Sequence, residues 1–240
     1  MIVTHVKHGV QYAFEDNPET NEFTKIAFPS WEPGTFEMFD WVKNSSKTAI
    51  DIGAWIGTTS VWLSKNFNRV VSVEADKRSI YFLNRTIELS DCTNVTICPH
   101  PIYSSREKRV FGGINGTLNT SMSQIKDASD HPSDYTMETL TFDDILATTN
   151  TRIEDVSFIK CDIEGGEEYI LESLLDTADK HGIDVYMSFH VGFWKHHVPE
   201  SFTTLFAKWA GRIYAAPNVR ENSISTSLHG FPSFLFKGSK

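Results

Sequence analysis

The stretch Thr48–Ser60, TAIDIGAWIGTTS, limits what the chain can fold into more than any other. Ala49–Ile52 reads as a short buried strand, and Gly53 and Gly57 lead straight into TTSVWLSKNF, which reads as a helix. Twenty-one residues beyond Gly53 a second apolar run, RVVSVEAD, ends in Glu74. Glycines let the backbone approach a ligand lying across the carboxyl end of the first strand. An acidic side chain at the tip of the second strand can accept two hydrogen bonds from a ribose diol. The pairing therefore implies a nucleoside-containing cofactor.

The glycine spacing bears on which one. A dinucleotide fold shows G-x-G-x-x-G, with a helix N-terminus facing a pyrophosphate. Here the spacing is Gly53-x-x-x-Gly57, with Asp51 two residues ahead and Trp55 in the middle. A bulky indole and an extra carboxylate suit a cationic, methionine-type ligand better than a phosphate. S-adenosylmethionine is the first reading and a nicotinamide cofactor the second. A plain strand-to-helix turn in some other α/β protein is the third.

At 240 residues, with 40% hydrophobic and 22% charged, the chain suits one domain with one core. Residues 1–30 read as a hairpin and lead-in, and residues 31–240 as the core. The net charge of −9, with no Lys/Arg run longer than two, speaks against nucleic acid as a partner. No apolar run approaches the ~18 residues of a membrane span, and the start MIVTHVKHG has no signal-peptide core. Cys92, Cys98 and Cys161 form no C-x-x-C pair and read as small core residues of a reduced, cytoplasmic protein.

Ile2–Phe14 alternates as a β-hairpin, and Pro33–Gly34 starts a helix with Phe36, Met38, Phe39 and Trp41. Trp31, Glu32 and Thr35 stand at its mouth. From the glycine motif on, strands and helices alternate: helix Asp76–Leu89, strand NVTICP, strand VSFIKCD, a helix over 166–175 and strand IDVYMSFH. Ser104–Thr139 is the least regular part, with a strand pair around KRVFGG and METLTF. A helix over about 200–210 and two strands, RIYAA and FPSFLFKG, close the chain as a hairpin able to insert an antiparallel strand into a parallel sheet.

AIDIGAWIGTTSVWLSK, VVSVEAD, NVTICPHPIYS, FIKCDIEGGEEYILESL and the lead-in EPGTFEMF together resemble the FkbM-type S-adenosylmethionine-dependent methyltransferases, over roughly Trp31 to His190. The resemblance implies a Rossmann-like class I α/β fold. Its sheet has seven mostly parallel strands in the order 3-2-1-4-5-7-6, strand 7 antiparallel, with helices on both faces. It also implies O-methyl transfer to sugars, glycans or polyketide-type acceptors. By the same resemblance Asp51, Gly53, Ala54, Trp55 and Gly57 line the methionine half of the cofactor, and Glu74 holds the ribose. Ala75 and Asp76 lie near the adenosine, and His100–Ser104, Ile102 among them, supply adenine contacts. Trp55 departs from the Asn more usual there, and can instead wall the acceptor pocket with Trp31 and Trp194.

In that strand order Asp162 ends strand four and His190 ends strand five, so both face the crevice outside the carboxyl ends. Methyl transfer to a hydroxyl needs the oxygen held in line and its proton removed. Two devices fit: His190 as general base, or Mg²⁺ or Mn²⁺ held by Asp162, Glu164 and His190. Acidic Glu164 and Glu167 also suit the start of the following helix. His196 and His197 lie just past the site and can border the acceptor. A nicotinamide-dependent sugar reductase or epimerase would want a third glycine and a Tyr-x-x-x-Lys pair. A catalytically inactive cofactor-binding module would not need Asp51, Glu74, Asp162 and His190 together. The expected partners are therefore the cofactor and a carbohydrate-containing acceptor.

Overall fold

The computed structural model describes residues 1–113, 122–195, 206–215, 220–221 and 233–239. The chain opens with an antiparallel hairpin, β1 (Ile2–Lys7) and β2 (Val10–Glu15), closed by His8 and Gly9 at φ 46 and 74. Two successive positive φ angles give the turn the twist that two paired strands require. Helix α1 (Pro33–Asp40) starts at its proline, where the missing N–H costs nothing.

The glycine motif folds as expected. Strand β3 (Asn44–Ile52) runs through the turn into α2 (Thr58–Asn66), and β4 (Phe67–Val73) ends one residue before Glu74. Helix α3 (Lys77–Leu89) is capped by Asp76, whose carboxylate accepts from the amides of Arg78 and Ser79. Then follow β5 (Val95–Cys98), β6 (Lys108–Gly113), β7 (Ser123–Lys126) and β8 (Tyr135–Glu138). Helix α4 (Phe142–Thr148) carries a reciprocal Thr141–Asp144 capping box. It is followed by β9 (Val156–Cys161), α5 (Glu167–His181), β10 (Asp184–Ser188), β11 (Ile213–Ala215), β12 (Arg220–Glu221) and β13 (Ser233–Phe236).

The main sheet has the order β12-β11-β13-β10-β9-β3-β4-β5. Strands β5, β4, β3, β9 and β10 are parallel, and β13 is antiparallel to both β10 and β11. This is the expected 3-2-1-4-5-7-6 arrangement, with the two-residue β12 added at one edge. The expected strand pair between 104 and 139 is a three-stranded sheet, β7-β6-β8, because Ser123–Lys126 also pairs with β6. Of the expected helix over 200–210, residues 200–205 lie outside the described residues.

Both faces of the parallel strands are covered, so their apolar runs are nearly continuous. On one face Ile50, Ile52, Val71, Val73, Ile159, Cys161, Val185 and Met187 pack with Ile170, Leu171, Leu174 and Leu175 of α5. On the other, Ala49, Val70, Phe158 and Tyr186 pack with Phe36 and Phe39 of α1, Val61 and Trp62 of α2, and Tyr12 and Phe14 of the hairpin. The three cysteines are free and buried. No helix among the described residues is long and apolar enough to cross a membrane.

Register determines what stands at the carboxyl ends. Asp51 pairs with Ser72 on one side and Lys160 on the other, and Lys160 pairs with Tyr186. Directly paired residues share a face. A polar row, Ser72–Asp51–Lys160–Tyr186, therefore crosses four strands on the face that otherwise packs the aromatic core.

Candidate active site

At the end of that row the chain makes tight turns. Gly53 adopts φ +78, and a Cβ placed there would lie 1.8 Å from the carbonyl oxygen of Asp162. Only glycine lets the tips of β3 and β9 approach this closely. Trp55, at φ 47, holds a conformation that bulky side chains rarely adopt, and its amide donates to Oε2 of Glu74 at 2.7 Å. The amides of Ala75 and Asp76 donate to Oε1 of the same carboxylate at 2.7 and 2.8 Å. Burial pushes the Glu74 carboxyl up to about 7, against the pull of those amides.

A cavity of about 380 Å³ opens over these turns. Of the residues expected in the site, Gly53, Trp55, Glu74, Ala75, Ile102, Asp162, Glu164 and His190 line it, as do Trp31 and His100. Asp51, Ala54, Gly57 and Asp76 do not. Asp51 is wholly buried behind the wall, with Oδ2 accepting from the hydroxyls of Thr59 and Ser60 at 2.7 and 2.6 Å. Ala54 is buried, Gly57 caps α2 and Asp76 caps α3, so these four shape the cradle from beneath. Trp194 lies outside the lining and donates its indole N–H to Glu167 at 3.3 Å. His196 and His197 fall outside the described residues.

Of six non-glycine residues with left-handed backbone among the described residues, three, Glu32 (φ 43), Trp55 (φ 47) and Glu164 (φ 54), border this cavity. Such conformations cost on the order of 1–3 kcal/mol each and gather where a side chain must be presented to a ligand. Glu32 accepts from the Thr35 hydroxyl at 2.9 Å, and Thr35 meets the Tyr186 hydroxyl at 2.7 Å. Burial, and secondly the Asp162 charge, raises the Glu32 carboxyl above the usual range.

At one end of the cavity Asp162, Glu164 and His190 converge, with one ligand atom from each within 4.8 Å of the others. His190 Nε2 lies 3.6 Å from both Asp162 Oδ1 and Glu164 Oε2. Its Nδ1 pairs with Glu167 Oε1 at 2.9 Å, which leaves Nε2 facing the two carboxylates. Burial works against a charged imidazole, but Glu167, Asp162 and Glu164 outweigh it and hold His190 at about 9. Burial raises Glu164 to about 7. Two carboxylate oxygens and an imidazole nitrogen this close together fit a divalent cation, which would displace the proton from His190. An imidazole fixed through its other nitrogen by a carboxylate is the usual support for such a ligand.

Two residues of this site stand out only in the structure. Glu167 is not a solvated helix-start residue. It is fully buried, and besides His190 it accepts from the amides of Ile163 and Gly165 at 2.9 and 3.0 Å. Its place three residues after Glu164 was the available signal. Lys160 is buried on β9, donates to the Gly53 carbonyl at 2.6 Å, and lies 3.3 Å from Asp51 Oδ1 and 3.8 Å from Asp162 Oδ2. Burial disfavours its charge, yet the two aspartates hold its pKa above the ordinary lysine range. A lysine inside an apolar strand, two residues before Asp162, was the signal there.

The cradle also suits the nucleoside cofactor. Gly53 lines the cavity at the tip of β3, and Glu74 stands half-buried at the tip of the neighbouring strand.

No curated protein matches the sequence. Among solved structures, the chain is similar to an FkbM methyltransferase from Methylobacillus flagellatus KT at 14% identity and a TM-score of 0.49, over 93% of this chain and 56% of that one. It is also similar to an O-methyltransferase from Bacillus cereus, determined in complex with SAH, at 13% identity and a TM-score of 0.48, over 92% of this chain and 90% of that one. The chain thus spans little more than half the length of the Methylobacillus protein. Residues 51–215 match the Methyltransferase FkbM domain, well over half of the sequence, and the chain belongs to that family.

Proposed function

We propose that the chain is an S-adenosylmethionine-dependent O-methyltransferase that methylates a hydroxyl of a sugar or glycan-containing acceptor, assisted by a divalent cation. The observation that carries this reading is the convergence of Asp162, Glu164 and His190 beside the Gly53–Glu74 cradle, within one cavity.

S-adenosylmethionine supplies the methyl group on a sulfonium that is already a good leaving group. The Gly53 turn and Glu74 hold it, Glu74 through the ribose diol. Mg²⁺ or Mn²⁺ would lower the pKa of an acceptor hydroxyl so that its proton passes to solvent as the oxygen takes the methyl group and the thioether leaves. Asp162, Glu164 and His190 hold the cation, and Glu167 orients the imidazole by accepting from Nδ1. Against burial, Glu167, Asp162 and Glu164 raise His190 to about 9, so that either device needs its Nε2 proton removed, and it is the two carboxylates beside that nitrogen that favour the metal device. Trp31, Trp55 and Phe23 present aromatic surface on the same cavity, the kind of surface that carbohydrate rings stack on.

The test is transfer of label from tritiated S-adenosylmethionine to a panel of short oligosaccharides. The reading expects labelled sugar with Mg²⁺ or Mn²⁺ present, loss of transfer in EDTA, and an Asp162→Asn variant with almost no activity. Full transfer in EDTA by both wild type and Asp162→Asn contradicts it.

A further inference from the structure

The cavity that Glu74 and Ala75 line also has walls from outside the main sheet. Phe111 of β6 and Ser123, Gln124 and Ile125 of β7 line it, together with Ile102. Two hydroxyl groups tie this small sheet to the turn that carries Glu74. Ser123 donates to Asp76 Oδ2 at 2.6 Å. Tyr135 donates to the Ala75 carbonyl at 3.0 Å and accepts from the Lys77 amide at 3.2 Å. The wall is thus bonded to the two residues that follow Glu74.

The wall has the chemistry that a purine requires. Ile102 and Phe111 are buried and Ile125 half-buried, which offers apolar faces to a flat base. Gln124 lines the cavity, and its side-chain amide has no hydrogen-bond partner among the described residues. A glutamine amide carries a donor and an acceptor side by side. That pattern matches the 6-amino group and the neighbouring ring nitrogen of adenine.

We propose that the β7-β6-β8 sheet forms the adenine subsite, with Gln124 reading the amino edge of the base. The inference rests on the S-adenosylmethionine reading above. It adds a side chain of this small sheet, Gln124, to the adenosine contacts expected from the main-sheet turns at Ala75 and Ile102.

Calorimetric titration of the full chain with S-adenosylhomocysteine and with its analogue lacking the 6-amino group tests it. Wild type should prefer the amino-bearing ligand by about tenfold, the ordinary value of one well-made hydrogen bond. Gln124→Ala and the similarly sized Gln124→Leu should bind the two ligands within about threefold of each other. Should either variant fold poorly, hydrogen exchange on the wild type gives a second readout. Amides of 108–113 and 123–126 should slow on binding S-adenosylhomocysteine. A wild-type preference that survives in both variants, or no preference in wild type, overturns the proposal while leaving the cofactor reading intact. So does unchanged exchange in this sheet with ligand bound. If wild type binds neither ligand, the cofactor reading itself fails and the subsite with it.

Discussion

His190 Nδ1 lies 2.9 Å from Oε1 of Glu167, and that carboxylate is completely buried. Glu167 also holds the amides of Ile163 and Gly165, so one side chain fixes both the imidazole and the turn that presents Glu164. Glu167→Ala leaves four donors, the amides of Ile163 and Gly165, His190 Nδ1 and the Trp194 indole, without their acceptor. It should destabilise the fold by about 3–5 kcal/mol in urea unfolding. The closer mimic Glu167→Gln should cost less stability and still weaken Mn²⁺ binding about 10–100-fold, read by electron paramagnetic resonance. Unchanged Mn²⁺ affinity in Glu167→Gln would remove Glu167 from any supporting role.

Charge at His190 gives the cation-free protein a distinct pH dependence. The folded-state value of about 9 lies above the free histidine value of 6.5, chiefly because Glu167 and the two acids overcome the burial penalty. The contribution is therefore fully present below about pH 6.5 and is lost as the pH rises through about 9. Urea midpoints of EDTA-treated protein should fall across that window, and His190→Asn should flatten the fall. Over the same window Mn²⁺ affinity should climb with pH, because the cation must displace a proton. A flat Mn²⁺ affinity between pH 6.5 and 9 would contradict the assignment of His190 as a ligand.

Lys160 supplies the third prediction. Its ammonium is buried between Asp51 and Asp162, and Asp51 Oδ1 has no hydrogen-bond partner among the described residues. Lys160→Met removes the only cation in the Ser72–Asp51–Lys160–Tyr186 row and leaves a buried carboxylate uncompensated. A loss of about 3–5 kcal/mol is expected in chemical denaturation. Asp51→Asn together with Lys160→Met should recover part of that loss, because the stranded charge is gone.

Gly53→Ala should be costly for a steric reason. Its left-handed backbone and the 1.8 Å approach of a Cβ to the Asp162 carbonyl leave backbone facing backbone, with no flexible side chain to yield. A loss of about 2–4 kcal/mol in thermal or urea unfolding is expected, with cofactor binding weakened at the same time. A stable Gly53→Ala protein with normal binding would mean that the two strand tips separate freely.

The alternation of strands and helices, the N-terminal hairpin and the closing antiparallel β13 were legible in the residues. The strand order, and with it the convergence of Asp162, Glu164 and His190, came with the resemblance to the FkbM family. Parallel strands announce themselves as apolar runs, and their carboxyl ends face one crevice. What stayed hidden is what period-two alternation alone cannot reveal. Asp51 sits at the end of its strand like a ligand contact, but its side chain turns to the hydroxyls of Thr59 and Ser60 and to Lys160, behind the cavity wall. Glu167 reads as a helix-start residue and proves to be a buried hub, because Gly165 and the left-handed Glu164 fold the chain back over it. The adenine-side wall was invisible because its third strand, Ser123–Lys126, is short and polar, and only pairing with β6 makes it a strand.

The most direct measurement of the central claim is calorimetric titration of S-adenosylhomocysteine into wild type and Glu74→Ala, with both folds checked by circular dichroism. Wild type should bind one equivalent. Glu74→Ala should lose about 2–3 kcal/mol, roughly 30–150-fold, as two charged hydrogen bonds to the ribose disappear. No binding in wild type, or equal affinity in the two proteins, would contradict the account.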